Sequence, residues 1–151
     1  MYLPAPRIDL RRYAVVVIAV LLWARPMAAS PIIQEVYYDA IGPDASTAFT
    51  EIYGEAGLSL DGWSLRGVNG GTGSVYRTID LTGAVIPLGG LLVVALGSAE
   101  PSLAAVRDFI GNVDWQNGPD ALHLRHGAEL VDALQYGDAG IHNAGGVQLA
   151  A

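Results

Sequence analysis

The chain has 151 residues, no cysteine, and eight basic residues against fifteen acidic ones, for a net charge of −7. This is room for one domain. The counts exclude disulfides, thiolate-ligated metal or iron–sulfur clusters and a thiol nucleophile; because every cation is arginine, lysine Schiff-base chemistry and a P-loop are excluded too. An apolar content of 52% rules out a disordered chain, and 19 glycines predict tight turns between short strands rather than long helices.

The N-terminus is basic, then apolar, then small. Arg7, Arg11 and Arg12 precede an uncharged apolar run at residues 14–23, and Ala28, Ala29 and Ser30 follow. The run is shorter than the ~20 residues a membrane-spanning helix needs, and the order is that of a secretory signal. Residues 1–30 are therefore read as a signal helix, cleaved between Ala28 and Ser30, that directs the protein to the periplasm, cell envelope or exterior. A buried N-terminal helix and an uncleaved anchor are the alternatives. Cleavage leaves Arg66, Arg77, Arg107 and Arg125 against fourteen acids, a net of −10. Such a domain repels phosphate backbones, so direct nucleic-acid binding is not expected. Nor is membrane attachment once the leader is gone.

The remaining chain reads as a row of strands. Residues 32–38 and 49–53 are rich in β-branched and aromatic side chains, with Gly42-Pro43-Asp44 as a turn between them. Asp61-Gly62 reverses the chain before a third strand that runs from Trp63 to Val68. A glycine-rich hairpin loop spans residues 69–73. A fourth strand, 75–81, places Val75, Arg77, Ile79 and Leu81 on one face. Residues 91–96 are six unbroken apolar residues, which predicts a strand buried on both sides at the centre of the core. Pro101 opens a helix of about ten residues carried by Leu103, Val106 and Ile110 and ended by Gly111. A closing hairpin follows, with Leu122 and Leu124 on one face, His126-Gly127 as its turn and residues 129–136 as its return. Short strands separated by Gly/Pro turns predict an all-β sandwich or barrel.

Four segments, in order, resemble the lamin tail domain in its exported bacterial branch: Ile33-Gln34-Glu35-Val36-Tyr37, Phe49-Thr50-Glu51-Ile52-Tyr53, Leu60-Asp61-Gly62-Trp63-Ser64-Leu65, and Gly118-Pro119-Asp120-Ala121-Leu122-His123-Leu124 followed by Glu129-Leu130-Val131-Asp132. The resemblance covers residues 32–137. It implies an immunoglobulin-like β-sandwich with at most one short helix, spanning residues 31–137. Residues 138–151 then form a Gly/Ala-rich tail where the family often has one more strand. It also implies a module without general catalysis, often found beside exported nucleases or phosphoesterases. Trp63, just after the Asp61-Gly62 reversal, is expected to wedge between the two sheets.

No catalytic set converges in the sequence, and catalytic, cofactor-binding and metal-binding residues are all assigned as none. Glu51 and Asp132 are read as structural carboxylates, with a carboxylate hydrolase as the competing reading. His123 and His126 lie on opposite faces of a strand, and His142 lies in the tail. Calcium is the one cofactor raised, through Asp114, Asn117 and Asp120 in one loop. The expected function is an exported, non-catalytic interaction or surface module with a protein or cell-envelope ligand. The alternatives are a carbohydrate-binding module, stacking sugars on Tyr37, Tyr38, Trp115 or Tyr136, and an accessory domain to a secreted nuclease or phosphoesterase.

Overall fold

Alternating burial organises the chain into eight strands. In a computed structural model, residues 29–39 and 44–137 are described. Residues 1–28 of the expected leader, part of the first turn, and the tail with His142 lie outside them. The strands are β1 (Ile32–Tyr37), β2 (Phe49–Tyr53), β3 (Trp63–Asn69), β4 (Val75–Asp80), β5 (Leu91–Ala95), β6 (Phe109–Ile110), β7 (Asp120–His126) and β8 (Glu129–Tyr136), with one short helix, α1 (Pro101–Ala104), between β5 and β6. They form two four-stranded sheets, β1-β2-β5-β6 and β4-β3-β7-β8, antiparallel except for the β5–β6 pair. The protein is an all-β sandwich.

Inward residues of each strand meet between the sheets. Ile52, Leu92 and Val94 from the first sheet face Leu65, Leu122 and Leu124 from the second, all essentially without solvent exposure. Burying such a side chain contributes roughly 1.5–3 kcal/mol. Close backbone approach explains two glycines. A Cβ on Gly70 would sit 1.9 Å from the Pro119 carbonyl oxygen, and one on Gly67 would meet the Tyr76 ring at 2.6 Å. The Tyr76 ring thus lies over a bare stretch of β3 and reaches across it, its hydroxyl 3.1 Å from that of Tyr136 on β8.

Three expectations are corrected. The helix is a single turn, because Phe109 and Ile110 pair with β5 instead of continuing it. The Asp108 N–H donates to the Val93 carbonyl, and the Asp108 carboxylate accepts from the Val93 N–H. These bonds satisfy the β5 edge, which a longer helix would leave bare. Next, β5 is buried on both sides only at its Ala95 end, not along its whole length. Leu92 and Val94 point into the core, whereas Leu91 is exposed and Val93 half-buried on the outer face. Finally, the indole between the sheets belongs to Trp115, not Trp63. Trp115 is 2% exposed and donates its Nε1–H to the Thr50 hydroxyl at 3.0 Å. Trp63, the first residue of β3, packs against the core but stays half-buried, stacked on His126 with ring centroids 4.7 Å apart.

Candidate functional site

The outer face of the first sheet departs from the polar surface that a water-facing antiparallel sheet normally presents. Its register produces three rows. Ile32, Tyr53 and Leu91 stand opposite one another in the first, Glu35, Glu51 and Val93 in the second, and Tyr37, Phe49 and Ala95 in the third. A β-bulge between Ile33 and Glu35 makes this arrangement possible. It sends Ile33 inward at one register position and returns Glu35 to the outside at the next, aligned with Glu51. Ile32, Tyr37, Tyr53 and Leu91 are all exposed, and Ile110, beside Ala95 on β6, is exposed as well. The Tyr37 and Phe49 rings stack with centroids 5.5 Å apart. Contiguous apolar surface of this kind marks interaction sites.

Two carboxylates face each other inside that apolar surface. Glu51 is half-buried, and burial, followed by the charge of Glu35, raises its pKa above the ordinary carboxylate range. Among the described residues neither carboxylate has a hydrogen-bond partner. Beyond the third row the surface drops into a cleft of about 450 Å³ lined by Tyr37, Phe49, Thr47, Glu100, Leu103 and Val106, among others.

The residues singled out from sequence are dispersed. Thr50 and Ile52 take the inward positions of β2, which places Glu51 outside. Asp132 points to the seam between β8 and β1, where its Oδ2 accepts the Ile33 N–H at 2.7 Å. It thereby satisfies a donor on the edge strand, and neither it nor Glu51 lines the cleft. His123 is buried on the outer side of the second sheet, and His126 stacks on Trp63. Of the aromatic candidates, Tyr37 is exposed, Tyr38 is half-buried against Tyr136 with centroids 4.3 Å apart, and Trp115 and Tyr136 are core residues.

The three calcium candidates are used differently. Asp120 is 3% exposed; its Oδ1 accepts the Gly70 N–H at 2.9 Å, and its Oδ2 has no partner among the described residues. The Asp114 carbonyl accepts from the Arg77 guanidinium, which lies over the Trp115 ring. Asn117 is exposed. Among the described residues no group of three or more His, Cys, Asp or Glu side chains is placed to hold a metal ion. Burial holds the Tyr76 and Tyr136 hydroxyls above their ordinary pKa, and the nearby Asp120 carboxylate adds to the effect.

Sequence reasoning missed Ile32, Glu35, Tyr53 and Leu91 as surface residues. The signal was available: where inward positions are Thr50, Ile52, Leu92 and Val94, their apolar neighbours must face outward. Compared with known proteins, the chain matches no family model, no curated protein and no solved structure.

Proposed function

We propose that the protein is an exported, lamin-tail-type, immunoglobulin-like domain that works without catalysis as an interaction module at the cell envelope or outside the cell. Its ligand docks on the outer face of the first sheet. The observation that carries this reading is the exposed apolar row Ile32–Tyr53–Leu91, together with exposed Tyr37 stacked on half-buried Phe49 beside the cleft that Leu103 and Val106 help to line, on the outer face of the first sheet. Two further points support it. The four segments that resemble the family fall on β1, on β2, on the entry to β3, and on β7 and β8. The carboxylates that a hydrolase would use, Glu51 and Asp132, serve an outer face and a strand seam.

The test is saturable binding of the purified chain to isolated cell-envelope material. A Tyr53→Ser/Leu91→Ser variant should melt within about 1 kcal/mol of the parent, since both side chains are exposed, and should lose that binding. Binding that persists in the variant overturns the reading. A saccharide ligand is the second reading, favoured by the exposed rings of Tyr37 and Tyr53 on one face. Titration with envelope polysaccharide, followed by tyrosine fluorescence, separates the two.

A further inference from the structure

The chemistry of this face specifies its partner more narrowly. In an antiparallel sheet, directly opposed like charges are destabilising. Here, Glu35 and Glu51 oppose each other with apolar rows on both sides and no described hydrogen-bond donor between them. The free protein therefore keeps two negative charges together on a surface that otherwise favours apolar contact. What would relieve both terms at once is a cation carried by an apolar neighbourhood.

The rows also set a spacing. Successive outward positions on a strand are two residues apart, about 7 Å. An extended segment lying along β2, with apolar, cationic and apolar side chains at alternate positions, presents the same period. Depositing its middle side chain between Glu35 and Glu51 places the flanking ones on the Tyr53–Leu91 and Tyr37–Phe49 rows.

We propose that the occupant of the face is a partner-protein segment with an arginine or lysine flanked, two residues away on each side, by apolar side chains. The inference rests on the interaction reading above and adds the charge and period of the partner. A second copy using the same face would bring two more carboxylates against these two, in a chain already at −7. An anionic lipid surface is repelled for the same reason. A neutral saccharide leaves the carboxylate pair uncompensated. A metal ion would lack further ligands, since among the described residues no third His, Cys, Asp or Glu joins the pair.

The test uses the full chain, ¹⁵N-labelled, and three synthetic peptides. One carries Ile-Thr-Arg-Thr-Leu between serine flanks; the others replace its arginine by glutamine or glutamate. The expected result is a saturable shift of β1, β2 and β5 resonances by the arginine peptide, with the glutamine peptide about tenfold weaker and the glutamate peptide weaker still. In a Glu35→Gln/Glu51→Gln variant the preference for arginine disappears, while in Glu129→Gln, at the exposed β7–β8 turn, it remains. The inference is overturned by no binding, by equal binding of the three peptides, by shifts mapping elsewhere, or by a preference that survives the double glutamine variant. Sedimentation showing a dimer whose interface is this face overturns it as well. If Tyr53→Ser/Leu91→Ser abolishes envelope binding but no preference for arginine is found, the cationic partner falls and the interaction module stands.

Discussion

The two ends of the sandwich are closed by different means. At one end the β6–β7 connection carries Trp115 between the sheets, where its indole N–H is satisfied by Thr50 and its ring faced by Arg77, with Tyr38, Tyr76 and Tyr136 packed nearby. At the other end Trp63, the first residue of β3, lies half-exposed on His126, the last residue of β7. The contrast teaches that chain position within a layer, not residue type, decides whether an indole becomes a wedge or a cap. A tryptophan that begins a strand has neighbours on one side only. One delivered by a crossing loop is surrounded.

The sharpest way to break this comparison is to truncate both rings. Trp115→Ala should cost about 3–5 kcal/mol, read as a lowered denaturant midpoint. Trp63→Ala should cost about 1–2 kcal/mol, because only part of its area is withdrawn from water. Equal losses would mean that the two ends are equally closed. Between these values lies Asp132→Ala, which leaves the Ile33 N–H without its acceptor and should cost about 1–3 kcal/mol; faster amide exchange along β1 checks it. The tyrosine-rich end should also respond to alkali. Tyr76 and Tyr136 have raised folded pKa values, so the unfolded chain loses those protons first, and stability is kept below about pH 10 and falls as pH rises beyond it. Ultraviolet titration should show these two phenols ionising only as the protein unfolds.

The smallest effect is a gain on the outer face. The raised pKa of Glu51 means that the folded state holds this proton more tightly than the unfolded one. The penalty is absent below the ordinary carboxylate range and appears as pH rises through the raised folded value. Glu51→Gln should therefore add a few tenths of a kcal/mol at neutral pH, about the size of one cross-strand pair, and nothing in acid. A melting series across acid and neutral pH checks it.

Part of the layer structure was legible because alternation survives in β7, where Leu122 and Leu124 share the inward face; in β2 the period left open whether Glu51 or Ile52 turned inward, and the structure turns Ile52 in. The β7–β8 hairpin was legible from His126-Gly127, and the reversal that leads into β3 from Asp61-Gly62. What failed did so for identifiable reasons. Residues 91–96 read as doubly buried because an apolar outer face and an inner layer look alike in a continuous apolar run. The helix was overextended because the pairing of Phe109 and Ile110 with β5 depends on a free edge that only the sheet order reveals. Trp63 was preferred to Trp115 because a turn signal preceded it, whereas nothing local marks a loop residue that crosses the end of a sandwich. The rows of the candidate site depend on the register set by one bulge at Gln34, and no residue type there announces it.

The clasp between Asp132 and Ile33 has a mechanical consequence. Together with the Tyr38–Tyr136 ring contact, it sets β1 and β8 side by side in the same direction, so that β1 starts at one end of the seam and β8 finishes at the other. A force drawing the start of β1 away from the end of β8 would slide these strands lengthwise rather than peel them, so the ring pair and the clasp would bear the load together. A domain tethered through both ends would resist stretching along that line.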